Sequence, residues 1–364
     1  MTLNYFTRVI LTPTAVFLSV LFGASYGSGR EVVEFVSSNG PTGGLVAILV
    51  LITAHVVVLA LSFELARMFR AYDYVSFFKI LLKKGWFLYE IVIIVGLVVA
   101  LSITATVGGT VIGDKFEINA WVGTGGIFLL VVALTYYGRQ AVQRSMMLSI
   151  IALFVVLVIL VYQVTGSHSE TIVSAFQSES HNWNGLSTGL IYAIGGGGYL
   201  PLLLYCAAGL RNRREVGTAA VSAAVIAAIP ATIFHVSFMA GYPTILDEKI
   251  PTYWLLQHVS TPTMLNIYVL VMFVLVAQTG VGVLQGLIER VDLFWKQKYG
   301  HDLPAWGHSS LAGAIFVICT AASTMGITAL ILRGYTIMFT SFIVVFIIPL
   351  ITYGLYLVVQ KGKS

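Results

Sequence analysis

Apolar runs long enough to cross a lipid bilayer recur along this whole sequence, and the polar stretches between them are too short to build a separate soluble domain. A helix crossing the ~30 Å hydrocarbon core needs about 20 residues. Runs of that kind lie at about residues 5–37, 43–67, 86–107, 118–137 and 146–164, and again at 185–210, 217–240, 263–289, 308–331 and 335–359. Only 10% of the 364 residues are charged, against about 25% in a soluble domain, so burial in one globular core does not account for the chain. The expectation is an all-α integral membrane protein of ten transmembrane helices, a single membrane domain over residues 1–364. The first run is too long for a cleavable signal peptide, and none is expected.

The net charge of +5 could suggest a nucleic-acid partner, but the basic residues sit in short loops, where they report topology instead. With the N-terminus in the cytoplasm, the inner side holds Arg8, Arg67, Arg70, Lys79, Lys83, Lys84, Arg139, Arg144, Arg211, Arg213, Arg214, Arg290, Lys296, Lys298, Lys361 and Lys363. Arg30, Lys115, Lys249 and Arg333 remain outside, a split of 16 to 4 among the 20 Lys and Arg. Both termini are therefore expected inside, in a cell inner (cytoplasmic) membrane. The outer loop of residues 165–185 has no Lys or Arg but carries His168, Glu170, Glu179 and His181, and a short surface helix is expected there. Cys206 and Cys319 fall in apolar runs and read as small packing residues.

Two spans share a defect. The first contains Gly23, Gly27 and Gly29 within nine residues, and the sixth contains Gly195-Gly196-Gly197-Gly198 followed by Pro201. Glycine costs about 1 kcal/mol in a helix interior and proline about 3, so both helices should unwind near mid-membrane. Unwound backbone at that depth is tolerated only inside protein or beside a water-filled cavity. The defects lie five spans apart, which divides the chain into a first repeat, residues 1–165, and a second of opposite orientation, residues 180–364. Interrupted helices at matching positions of two inverted halves point to a transporter's binding site. The pairs Gly108-Gly109 and Gly125-Gly126 are expected instead to let helices approach closely.

The stretch Gly23 to Glu31, continued by Glu34-Phe35, resembles the first span of the YkvI-type membrane proteins, a branch of the amino acid-polyamine-organocation superfamily. That resemblance implies the LeuT-type fold, a five-plus-five inverted repeat working by alternating access, with substrate and coupling ion held at the two breaks. It implies a substrate site drawn from Ala24, Ser25, Tyr26, Gly27, Ser28, Gly29, Arg30 and Glu31 of the first break and Tyr192, Gly195, Gly196, Gly197, Gly198 and Tyr199 of the second. The eighth span, Ala277 to Gln285, is similar to the sodium-coupled members: Thr279 would complete a sodium site with carbonyls near Leu21 and Ala24, while Gln278 departs from the usual hydroxyl residue and is placed with the substrate. The fifth span has no lysine to stand in for sodium, as one does in some proton-coupled relatives. Sodium is the favoured coupling ion, with protons the alternative, and no cofactor is implied.

The charges at the first break allow two readings. Arg30 either pairs with Glu31, Glu34 or an acid of another helix and closes the outer vestibule, or receives a substrate carboxylate together with the free amides at the positive helix end. Glu31 would then complement an amino group. An amino acid or related zwitterion or amine follows as solute. Glu64 and Glu90 are expected to pair with Arg67 and Lys84 at the cytoplasmic rim. Intramembrane histidines are functional candidates by default, so His55 and His235 suggest a competing membrane enzyme or redox protein with haem or metal ligands; a non-transporting channel or sensor is the third reading. No HExxH, Walker or Gly-x-Ser-x-Gly motif occurs, and an ATP-driven pump or hydrolase is not expected.

Overall fold

A computed structural model describes residues 4–137, 139–178, 183–301, 303–324 and 329–361. The chain is a multi-pass membrane protein built of helices. Among the described residues six helical segments are long and apolar enough to cross a membrane: Arg30–Phe69, Phe87–Phe116, Ile151–Gln177, Arg213–Gly241, Pro262–Asp292 and Leu330–Gln360. A bent pair, Gly185–Gly197 with Leu200–Gly209, turns by 67°, and three shorter apolar helices are Phe6–Leu21, Ala120–Val131 and Trp306–Ala322. Leu49, Leu129 and Leu270 are among the many exposed large apolar side chains, as expected where the surrounding solvent is lipid.

The helices used below are α1 (Thr12–Leu21), α2 (Ala24–Gly27), α3 (Arg30–Phe35), α4 (Gly40–Phe69), α5 (Tyr74–Leu82), α6 (Phe87–Phe116), α7 (Ala120–Tyr137), α8 (Arg139–Ser178), α9 (Gly185–Gly197), α10 (Arg213–Phe238), α11 (Pro251–Val259) and α12 (Pro262–Tyr299). Where a surface helix is expected after the fifth span, α8 runs on without a gap and carries non-helical geometry at His168 (φ −130°, ψ 21°). Glu179 and His181 of that loop lie outside the described residues, as do the side chains of Arg139, Arg144, Lys361 and Lys363.

Small residues bring the helices together. Gly185 and Gly189 of α9 lie against Gly43 and Ala47 of α4, a four-residue spacing on both helices; a Cβ on Gly189 would come within 2.8 Å of the Ala47 Cα. Without a hydrophobic force between helices in lipid, such backbone contact is what makes dispersion attraction large enough to hold them. Gly108 and Gly109 behave as expected, a Cβ on Gly108 meeting Ile127 of α7 at 2.6 Å and Val276 of α12 at 3.0 Å. Gly125 and Gly126 do not: nothing lies within 4 Å of either added Cβ. They sit on a part of α7 that no described helix covers closely.

Ion pairs join helix ends. The Arg8 guanidinium holds both oxygens of Glu215, at 2.6 and 2.7 Å, at the start of α10, and Glu64 pairs with Arg67 at 2.7 Å. Glu90, expected beside Lys84, pairs instead with Arg290, joining α6 to α12. A neighbour in sequence lost to a partner 200 residues away because the helix contact brings the guanidinium to the carboxylate. Cys206 and Cys319 are free and buried.

If backbone contact between α4 and α9 is what holds these helices, Gly189→Ala should destabilise the protein by about 1–3 kcal/mol, the cost of overfilling a close-packed site. Gly126→Ala should be neutral or stabilising by up to about 1 kcal/mol, from helix propensity alone. Thermal unfolding of the two variants in detergent checks the contrast.

Candidate functional site

The first span breaks twice. α1 ends where Phe22 leaves helical geometry (φ −84°, ψ 89°), the single turn α2 follows, and Ser28 and Gly29 separate it from α3. Gly29 takes the left-handed conformation (φ 78°), and a Cβ there would also come within 2.5 Å of both Phe238 and the Thr252 hydroxyl. Only glycine satisfies both conditions. The sequence suggested one unwound stretch from Gly23 to Gly29; the one-turn helix between two breaks is the difference.

Every break releases carbonyls that must find donors inside the protein. Gly27 O accepts from the Tyr268 hydroxyl of α12 at 3.1 Å, Ser28 O from the Thr252 amide at the start of α11 at 3.2 Å, and Ser25 O from the Ser28 hydroxyl at 2.6 Å. In the sixth span the helix continues through Gly197 and bends at Gly198 and Tyr199 into the 3-10 helix Leu200–Gly209. Gly198 O there accepts from the Tyr89 hydroxyl of α6 at 2.9 Å, and Ala193 O accepts from Nε2–H of His55 at 3.1 Å. Tyr89 and Tyr268 are both fully buried.

Gly195, Gly196 and Gly197, expected to be unwound, are therefore helical. At two of them the lack of a side chain serves packing: an added Cβ would overlap the Phe339 ring at Gly195 and meet the Leu21 Cδ2 at 2.6 Å at Gly196, whereas at Gly197 it would make only ordinary contact with Val58 at 3.4 Å. Leu21 against Gly196 means that the two interrupted spans face each other.

Between them lies a cavity of about 80 Å³. Leu21, Tyr26 and Glu31 of the first span and Tyr192, Gly195, Gly196 and Tyr199 of the sixth line it, joined by His55 of α4 and by Tyr335, Met338 and Phe339 of the last span. Glu31 is its acidic group. One carboxylate oxygen accepts from the Tyr335 hydroxyl at 2.7 Å and the other from the Tyr192 hydroxyl at 3.2 Å. Phe35 stacks on Tyr192 with ring centres 5.2 Å apart, and Tyr335 on Phe339 at 5.0 Å. The Tyr26 hydroxyl is buried with no hydrogen-bond partner among the described residues.

Arg30 is not part of this wall. Its guanidinium donates to Leu246 O at 2.7 Å and Glu248 O at 3.0 Å and pairs with Glu34 at 2.9 Å. Of the two readings the sequence left open, the pair with Glu34 is present, and the guanidinium is directed to the loop after α10 rather than to the cavity. Ser25 is buried, with its hydroxyl near the Glu31 carboxylate and the Tyr335 hydroxyl; the Ala24 side chain lies outside the described residues. Gly27 and Gly29 act through close packing and Ser28 through backbone bonds, and Gly198 packs on Phe342. Gln278 is buried on α12 but is not among the cavity residues. Thr279 stands beside the first break, 3.6 Å from the position of a Gly23 Cβ, with its hydroxyl donating to Leu275 O at 2.8 Å.

The histidines do not meet. His235 donates from Nε2 to Pro41 O at 2.9 Å and accepts at Nδ1 from Ser37 at 2.9 Å, which leaves no lone pair for a metal. His55 is on the cavity, and no group of three or more His, Cys, Asp or Glu capable of holding a metal occurs among the described residues. Sequence reasoning missed Tyr89, Tyr268 and Tyr335. It looked for tyrosines only beside the breaks, although a buried hydroxyl needs a partner wherever it sits.

No family model matches the chain, and no curated protein is significantly similar to it in sequence, so YkvI-type membership remains a resemblance of the first-span motif. Solved structures share the fold. MhsT in complex with L-phenylalanine is 16% identical with a TM-score of 0.58, covering 91% of this chain and 86% of MhsT. Two variants of the Eremococcus coleocola manganese transporter are 15% and 14% identical with TM-scores of 0.51 and 0.52, each alignment covering 96% of this chain and 80% of the other.

Removing either tyrosine hydroxyl leaves a freed carbonyl without its donor, which costs about 1–3 kcal/mol when no water replaces it. Tyr89→Phe and Tyr268→Phe should each lower the thermal unfolding temperature of the purified protein, and the double variant should show nearly additive losses because the two contacts share no residue.

Proposed function

We propose that the chain is a secondary active transporter, moving a small organic solute bearing an amino group by alternating access. The observation that carries this reading is the single cavity shared by two interrupted spans, with a carboxylate on its wall. Interrupted helices around a central site are the pattern of such transporters, and a solved structure that shares the fold is the Eremococcus coleocola manganese transporter. An amino acid or related zwitterion or amine is the solute class. An organic solute is favoured over a transition metal by the absence of a His, Cys, Asp and Glu cluster among the described residues.

Sodium is the proposed coupling ion, with protons the alternative. Thr279 beside the first break supports a site in which its hydroxyl joins the carbonyls near Leu21 and Ala24, since a hard cation requires oxygen ligands. Ten spans are reached when the bent pair and the three shorter apolar helices are counted with the six long segments. The five-plus-five inverted repeat, residues 1–165 and 180–364, is supported by the matching roles of α6 and α12, the third and eighth spans: each offers a buried tyrosine hydroxyl to the break of the first or sixth. The basic residues favour cytoplasmic termini in the inner membrane.

Uptake into proteoliposomes tests the transporter reading. Saturable uptake with counterflow of labelled solute is expected, and its absence for a solute that binds would favour a channel or sensor. For the ion, Thr279→Ala should weaken the apparent sodium affinity of uptake by about tenfold, the ~1.4 kcal/mol of one ligand oxygen, while leaving the unfolding temperature without sodium unchanged. Unaltered sodium dependence would remove Thr279 from the site, and sodium-independent uptake by the natural protein would make protons the driving ion.

A further inference from the structure

Glu31 stands without a counter-charge. Among the described residues its carboxylate forms no ion pair; its partners are the hydroxyls of Tyr335 and Tyr192, with that of Ser25 close by. The nearest cation in sequence, Arg30, is spent on Leu246 O, Glu248 O and Glu34. No lysine or arginine lines the cavity, and His55 gives its Nε2 proton to Ala193 O. A carboxylate at membrane depth is costly unless it is paired or takes up a proton, and among the described residues that line the cavity none supplies the pairing charge.

The rest of the wall narrows what can supply it. Tyr26, Tyr192, Tyr199 and Tyr335 line the cavity with the carboxylate, and aromatic side chains of this kind are the groups used to recognise ammonium ions. The buried Tyr26 hydroxyl, 4% exposed and unpartnered, is one further polar atom available to a ligand. A bare metal cation would need a shell of oxygens, whereas, apart from His55, the remaining wall is apolar and includes Val20, Leu51, Ala227 and Met338. A solute carboxylate placed here would face Glu31 with no cation to offset the repulsion.

Resting on the transporter reading and sharpening its substrate class, we infer that the cavity recognises an organic ammonium with no carboxylate beside the nitrogen, held by Glu31 through a charge-assisted hydrogen bond among the tyrosines that line the cavity. The solute is an amine rather than an amino acid. Arg30, which a zwitterion would require, is directed to the loop after α10.

The test uses amines matched to the amino acids that differ from them by one carboxylate: isobutylamine with valine, phenethylamine with phenylalanine, and putrescine with ornithine. Binding to the purified full-length protein is measured by calorimetry and by thermal stabilisation, which reports any ligand specific to the folded state. At least one amine should bind to the natural protein at least about 30-fold more tightly than its amino acid, a difference of ~2 kcal/mol. Glu31→Gln should weaken that amine by about 100-fold or more, as loss of a buried charge partner does. Tyr335→Phe, which keeps the charge, should weaken it only about three- to tenfold. Equal or tighter binding of the amino acids, unchanged amine affinity in Glu31→Gln, or tightest binding of sodium or potassium chloride with no amine bound would each overturn the inference; the matched-pair comparison needs no variant, so it decides even if Glu31→Gln fails to fold. Saturable amino-acid uptake insensitive to Glu31→Gln would overturn the ammonium site and leave the transporter standing. Amine binding without uptake or exchange would do the reverse.

Discussion

Lipid offers no hydrogen bonds, and the architecture of this chain depends on how it answers that constraint at the two places where its helices stop being helical. Each interruption releases carbonyls where no water is assured, and each is met by a donor from a distant, uninterrupted helix. Tyr268 reaches Gly27 O from α12, and Tyr89 reaches Gly198 O from α6. The breaks are thereby held in a defined geometry rather than left as loose hinges. A hydrogen bond of this strength, about 1 kcal/mol net, is small enough to be exchanged during a conformational change and large enough to specify where each half-helix rests.

Charge is handled by the same rule. Adjacent residues of opposite sign, Arg30 and Glu31, could have neutralised each other, yet α3 turns their side chains to different sides. Arg30 goes to two loop carbonyls and Glu34, while Glu31 goes to two phenols on the cavity. Successive residues on a helix point about 100° apart, which makes this separation a consequence of local geometry. A guanidinium surrounded by acceptors ties the first span to the loop after α10. A carboxylate whose described partners are hydroxyls is left on the cavity wall.

The glycines divide along similar lines. Gly29 is required by its backbone conformation as well as by crowding, whereas Gly185, Gly189 and Gly195 are required by what stands opposite them: the backbone of Gly43 and Ala47, and the ring of Phe339. Gly125 and Gly126 meet neither demand. Composition alone does not separate these classes, since all of them are glycines in apolar helices, and the four-glycine run that suggested unwinding proved to be a packing surface with its bend at its last member.

Membrane residence, the run of apolar spans and the two disrupted helices were legible in the sequence, because hydropathy and helix propensity are properties of a residue and its immediate neighbours. The pairing of Glu64 with Arg67 was legible for the same reason, three residues being one helical turn. The site was legible only in outline. Glu31, Tyr26, Tyr192 and Tyr199 were found because they flank the breaks, but Tyr335 lies 304 positions from Glu31, and Tyr268 lies 241 from Gly27. The partner of Glu90, the destination of Arg30 and the neutral bonding of His235 were likewise decided by tertiary structure. A long polar side chain takes whichever partner packing brings within about 3 Å, and that choice is made by helices meeting across the bilayer rather than by the order of residues along the chain.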